Sequence, residues 1–277
     1  MHIVVCLKQV PMVSELPWDP RTGRLMRGQA EGMMNPACKH ALEAALRLKE
    51  EHGGSLTALC MGPPEAEEVL REALALGADE AVLLCDPRLA GADTLATSHT
   101  LARAIQAVAP DFDLALLGCT TTDSETGQVG PQLAEELDLP AAFNVEHLEL
   151  TGRALTVRRV YDGFLETLEM DLPALLTITT QEFAPRETPL GGLERAFAQA
   201  SVRVMDAEAI GASLDRVGDK GSAGRMLRVY SPTAQKKCVL LTGAVKKSVQ
   251  ELFERYGDRL GGLIGQDLAS EEEGHDQ

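Results

Sequence analysis

Four short apolar runs, Ile3–Leu7, Ser55–Met61, Glu80–Cys85 and Leu114–Gly118, each run into turn-forming residues, which predicts four buried strands. Between them, apolar positions recur at helical spacing: Ala41, Ala44, Ala45 and Leu48 within Cys38–Glu50, Val69, Leu70, Ala73 and Leu74 within Glu65–Leu76, and Leu95, Leu101, Ile105 and Val108 within Thr94–Val108. Strand followed by helix, repeated in this way, builds βαβ units and a parallel sheet covered on both faces, so the predicted fold class is α/β. Beyond Gln128–Leu137 the texture changes. Phe143–Leu150, Leu155–Tyr161 and Leu165–Met170 are separated by Thr151-Gly152 and Asp162-Gly163, which adds antiparallel strands. Pro173–Thr179 is read as a return to the sheet, and Pro185, Pro189, Gly191 and Gly192 mark an exposed excursion before a short helix near Leu193–Ala200. Gly211–Arg225 reads as loop, Lys237–Gly243 as a strand and Val245–Tyr256 as a helix.

The chain has 277 residues, enough for one extended α/β domain or for two domains. The division expected is an α/β domain over 1–200, a C-terminal arm over 201–266, and an acidic tail over 267–277 that lacks structure. The apolar, glycine-rich C-terminal third is expected to wrap a partner. Formal net charge is −16. Such acidity repels phosphate backbones and anionic lipids, which argues against nucleic acid and membrane surfaces as partners. No apolar run reaches the length of a membrane span, and MHIVVCLKQV reads as a strand and not as a secretory signal, so a cytoplasmic location is expected. The six cysteines have no C-x-x-C spacing, the six histidines have no ligand spacing, and no G-x-S-x-G occurs. Zinc, iron–sulfur and hydrolytic chemistry find no support, and no metal site or catalytic residue is assigned.

In a parallel sheet, ligands bind beyond the carboxyl ends of the strands, so the loops there carry the candidate chemistry. The loop after the fourth strand, Gly118 to Pro131, gathers Thr120, Thr121, Thr122, Asp123, Ser124, Thr126, Gly127, Gln128 and Val129 ahead of a helix start. Unpaired amides and the positive dipole end there suit a pyrophosphate or ribose. A capping box, with Thr122 as N-cap and Glu125 three residues on, explains the same pattern. After the third strand, Thr94 and Thr97 stand one helical turn apart and face one phosphate, or else Asp93 simply caps the helix. Asn35-Pro36-Ala37-Cys38 and Met61-Gly62-Pro63-Pro64 punctuate the other two strand-end loops.

Taken together, Leu7-Lys8-Gln9-Val10-Pro11, Asn35-Pro36, Met61-Gly62-Pro63, Leu74-Ala75-Leu76-Gly77-Ala78-Asp79, Asp93-Thr94-Leu95-Ala96-Thr97-Ser98 and Thr126-Gly127-Gln128-Val129-Gly130-Pro131 resemble the beta subunit of electron-transfer flavoproteins. The resemblance covers residues 1 to 200, and more loosely the rest, and it implies that the 1–200 domain is nucleotide-binding, with a docking loop near 185–200. It implies a Rossmann-like sheet akin to the adenine-nucleotide alpha-hydrolase fold, a permanent complex with an FAD-carrying alpha subunit, and electron exchange with a dehydrogenase or a ferredoxin- or flavodoxin-type partner. NADH oxidation then requires the alpha subunit. The resemblance further implies that Cys6, Asn35, Cys38, Met61 and Gly118 through Val129 line a nucleotide site, with Asp123, Ser124, Thr126, Gly127 and Gln128 among them. That site holds AMP in the simpler branch and FAD in the bifurcating branch. Thr94 and Thr97, and the short spacing from Asp123 to Thr126, match the FAD branch. Arg159 matches an arginine near the alpha-subunit flavin and would tune it, and Leu190 matches a partner-docking leucine. Departures are Thr120-Thr121-Thr122-Asp123, where the family often has Gln-Ala-Ile-Asp, Gly127 for a common alanine, and a Glu194–Gln199 stretch without the usual lysines. Two other classes share the fold. A regulatory nucleotide-binding module of the universal-stress type is the alternative function, whereas an ATP pyrophosphatase needs a Ser-Gly-Gly-x-Asp loop where Leu7-Lys8-Gln9-Val10-Pro11 stands.

Overall fold

The computed structural model describes residues 1–12, 31–224 and 238–272, from 261 onward by backbone alone. Strand β1 (His2–Leu7) leads into a small antiparallel pair, β2 (Gln9–Pro11) with β3 (Gly32–Met34), and then into α1 (Pro36–His52). There follow β4 (Ser55–Met61), α2 (Glu67–Leu76), β5 (Glu80–Leu84), α3 (Thr94–Val108), β6 (Leu114–Gly118) and α4 (Val129–Leu137). Three long strands come next, β7 (Ala141–Thr151), β8 (Ala154–Tyr161) and β9 (Phe164–Asp171), and then β10 (Ala174–Ile178), α5 (Leu190–Ala198), β11 (Arg203–Met205) and the four-residue α6 (Gly218–Gly221).

The main sheet has nine strands in the order β11-β5-β4-β1-β6-β10-β7-β8-β9. It is parallel from β11 to β7 and antiparallel across β7, β8 and β9. This is the α/β parallel arrangement that the periodicity predicts, and the Rossmann-like sheet that the resemblance implies. β1 lies near the middle and is buried on both faces, which explains its unbroken apolar run. Its side chains alternate between two cores: Ile3, Val5 and Leu7 pack with α1 and α2, whereas Val4 and Cys6 pack with α3 and α4. Gly130 sets the spacing of α4 against the sheet, since a Cβ there would stand 2.3 Å from Thr177 Cγ2. Asp162 and Gly163 both take positive φ (50° and 79°) in the β8–β9 turn, the geometry that favours Asp-Gly in tight hairpins.

Several expectations are corrected. Residues 238–243 form no strand. Neither β2, β3 nor β11 is legible in the apolar pattern, because each is only three residues long. Helix α5 begins at Leu190, three residues early, with Pro189 as its N-cap. Residues 203–224, assigned by sequence to the arm, lie in a first compact unit, Met1–Val229, where β11 pairs with β5 and Ala207, Ile210 and Val217 are buried. The second unit, Tyr230–Gln277, contains α7 (Val245–Glu272), which passes beyond the expected end at Tyr256 and into the stretch expected to lack structure. The final residues of that tail, 273–277, and Lys237 lie outside the described residues.

Candidate functional site

The chain reaches β4 and β5 on one side of β1 and then crosses to β6 on the other, so β1 and β6 flank a topological switch point. In open α/β sheets such a point is where a ligand crevice forms, beyond the carboxyl ends of the strands. Three side chains knit this region together. Asn35, fully buried at the start of α1, donates from Nδ2 to the Thr120 carbonyl at 2.8 Å and accepts the Thr122 N–H at Oδ1 at 3.1 Å. Lys8, one residue past β1, reaches Asp123 Oδ1 at 2.7 Å and Thr121 Oγ1 at 3.5 Å. Thr94, at the start of α3, donates its hydroxyl to Gln128 Oε1 at 2.9 Å. The loops after β1, β5 and β6, together with the start of α1, are thereby joined.

The fourth loop does not form a capping box. α4 starts at Val129 with no side-chain cap, because Asn35 draws the Thr122 amide backwards and the chain turns through left-handed Glu125 (φ 49°) and Gly127 (φ 63°) before helix begins. Ser124 instead bonds Thr121 Oγ1 at 2.9 Å. Thr126 and Gln128 are exposed, and Val129 and Gly130 place their amides in the first turn of α4, whereas Pro131 has no N–H to offer. Gly118 permits close approach of β6 to α1, since a Cβ would stand 2.7 Å from the Cys38 nitrogen. The Asp123 carboxylate, only 2% exposed, is held by Lys8, which limits its repulsion of an anion in the crevice.

In the third loop the capping reading holds. Asp93 caps α3 through Ala96 N–H at 2.9 Å, while Thr94 and Thr97 stand half-buried on the first turn. The second oxygen of Asp93 accepts the Gly224 N–H at 2.8 Å, and Ser222 Oγ accepts the Asp93 N–H at 2.8 Å, so residues 222–224 lie against this loop. The sequence gives no sign of that contact. Cys6 and Cys38 are buried on opposite faces of the sheet, and burial raises both thiol pKa values, so neither acts as a thiolate. Met61 ends β4 half-buried. The apolar pattern passes over Lys8, although a lysine just past the end of a central strand is itself a signal.

Arg159 and Leu190 lie on other elements. Arg159, on β8, pairs with Glu166 of β9 at 2.7 Å and stacks over Tyr161 at 5.1 Å. Leu190, 84% exposed, stands at the start of α5. A separate cavity of about 260 Å³ lies between α1, α2 and residues 185–188. Among the described residues, no cluster of His, Cys, Asp and Glu suits a metal ion and no helix is long and apolar enough to cross a membrane.

A Rossmann-like α/β protein with glycine- and hydroxyl-bearing loops gathered at a switch point is the class that this fold and geometry define. Comparison with known proteins narrows it. The electron transfer flavoprotein domain matches residues 22–210. An electron transfer flavoprotein subunit beta from Thermoanaerobacterium thermosaccharolyticum is 39% identical over 94% of this chain and 99% of its own length. The caffeyl-CoA reductase-Etf complex subunit CarD of Acetobacterium woodii is 40% identical over 90% of this chain and 95% of its own. The FixA protein of Sinorhizobium fredii is 38% identical over 91% and 90%. The chain belongs to the electron transfer flavoprotein family as a beta subunit. Electron transfer is its function, in place of the regulatory-module alternative, and the family carries flavin involvement and an alpha-subunit partner.

Proposed function

We propose that this beta subunit holds FAD, not AMP, in the crevice at the ends of β1, β5 and β6, and works in the cytoplasm in a heterodimer that passes electrons between a dehydrogenase and a ferredoxin- or flavodoxin-type acceptor. The observation that carries the reading is the Thr94–Gln128 hydrogen bond, which joins the third and fourth loops into one wall. AMP has one phosphate, which the start of α4 satisfies alone. FAD has two, and the second needs donors further along the strand edge. Thr97 supplies a hydroxyl there, Thr94 supplies a second when its O–H turns from Gln128 to the phosphate, and the Lys8 ammonium offsets the Asp123 charge between them and β1. When bound, the flavin supplies the electron chemistry, while the chain supplies position and electrostatics. The residues present fit that role: small or hydroxyl-bearing, with their one buried carboxylate paired.

The test is to denature the purified heterodimer and separate the released cofactors by chromatography. Two FAD per heterodimer is expected, falling towards one in a Thr94→Val/Thr97→Val double variant. One FAD with one AMP overturns the proposal.

Leu190 is proposed as the anchor that meets a dehydrogenase, since a lone exposed leucine at a helix start is suited to a partner's pocket. Arg159 is proposed to stabilise the reduced anionic flavin of the alpha subunit.

A further inference from the structure

Residues 183–198 touch the rest of the first unit at separated points, and Leu190 stands between two of them. Phe183 is buried against the α1 side of the sheet, with the Arg47 guanidinium 5.9 Å from its ring. Gly192 is pressed onto α2 so closely that a Cβ would meet the Ala75 carbonyl oxygen at 2.2 Å. Ala196 is buried and its carbonyl accepts from Arg71 Nη1 at 2.6 Å. Between Phe183 and Gly192, the exposed residues Ala184, Pro185, Glu187, Pro189, Leu190 and Gly191 make an arch. Beneath its first half lies the cavity of about 260 Å³ floored by Leu42, Leu46 and Leu76. Apolar packing therefore does not fix 185–188.

Arg186 does. Its Nε donates to Glu43 Oε2 at 2.8 Å, its Nη2 to Glu43 Oε1 at 3.2 Å and Glu50 Oε2 at 3.0 Å, its Nη1 to Glu50 Oε1, and its backbone N–H to Glu43 Oε2 at 3.3 Å. Glu43 is 4% exposed and also accepts from Arg47 Nε at 2.8 Å. Burial alone would raise the Glu43 pKa, but the bonds from Arg186 and Arg47 outweigh it and keep the carboxylate ionised. A guanidinium that forks across two carboxylates on one helix fixes direction as well as distance. Pro185 and Pro189 restrict the backbone on either side.

We infer that Arg186 is a positioning residue for partner docking: by binding Glu43 and Glu50 of α1, it sets the arch that presents Leu190. This rests on the docking reading of Leu190 given above. In this role Arg186 acts through the backbone of 186–190.

The heterodimer is assayed as substrate for the dehydrogenase that reduces the wild type fastest, using Arg186→Gln, Leu190→Ala and the double variant. Arg186→Gln is expected to raise KM for the heterodimer roughly tenfold with kcat within about twofold, to speed amide hydrogen exchange over 187–191, and to leave flavin content unchanged. In the double variant KM should match Leu190→Ala within about twofold, because a misplaced leucine has nothing left to lose. Arg186→Lys, which keeps the charge without the fork, should fall between, and it replaces Arg186→Gln in every arm if that chain does not assemble. Multiplicative KM effects in the double variant, or unchanged exchange over 187–191, overturn the inference. If Leu190→Ala leaves KM unchanged while exchange still rises in Arg186→Gln, the docking reading fails and the docking role of Arg186 falls with it.

Discussion

Asn35 shows how one side chain can organise a site. Its amide satisfies both a carbonyl and an N–H of the fourth loop from a fully buried position, so its loss strands polar groups. Asn35→Ala is expected to destabilise the heterodimer by about 2 kcal/mol and to weaken cofactor retention. Asn35→Asp, which turns a donor into a charge facing the Thr120 carbonyl, should be worse. Thermal unfolding with and without added FAD checks this, and a shift within error for both variants contradicts it. The sequence marks Asn35 as helix punctuation, and only the resemblance lifts it to a site residue. Its partners are 85 and 87 residues away, a distance across which no local pattern reports. For the same reason the Lys8–Asp123 pair and the contact of 222–224 with Asp93 are invisible in the sequence, whereas Thr94 and Thr97 are legible because their spacing is local.

Elements of the chain were legible where period and length were strong. β1, β4, β5, β6 and helices α1, α2 and α3 follow the apolar pattern because each is buried along a full face. Very short strands leave no such pattern, and residues 238–243, apolar in composition, form none. Two predictions belong at this level. Glu43 joins α1 to the arch, and its depressed pKa in the folded chain means that the stability it contributes is present above its ordinary value of 4.5 and lost as pH falls through the folded value. Acid unfolding of the wild type should therefore steepen below about pH 4.5, and Glu43→Gln should flatten that slope; identical acid profiles contradict it. In the β8–β9 pair, Arg159 lies between Glu166 and Tyr161, so its charge is partly balanced already. Arg159→Ala is expected to lower the first reduction potential of the alpha-subunit flavin, and an unchanged potential in spectroelectrochemistry assigns it only to the strand surface.

At the scale of the whole molecule, apolar surface is concentrated at the β8–β9 hairpin, where Tyr161, Phe164 and Leu165 are exposed, and along α7, where Val245, Val249, Leu252, Phe253 and Tyr256 recur at helical spacing. Surfaces of this kind in a subunit are covered by a partner or drive aggregation. Expressed alone, the chain should aggregate or lack flavin, and co-expression with a cognate alpha subunit should rescue it. A monodisperse single chain with no affinity for that subunit contradicts obligate pairing. The central claim, a flavin held at the β1–β6 switch point of an electron-carrying subunit, is met most directly by a potentiometric titration of the intact heterodimer followed by flavin absorbance. Two separate flavin transitions are expected in the wild type, with one lost and the other kept in Thr94→Val/Thr97→Val. A single transition, unaltered by the double substitution, contradicts the claim.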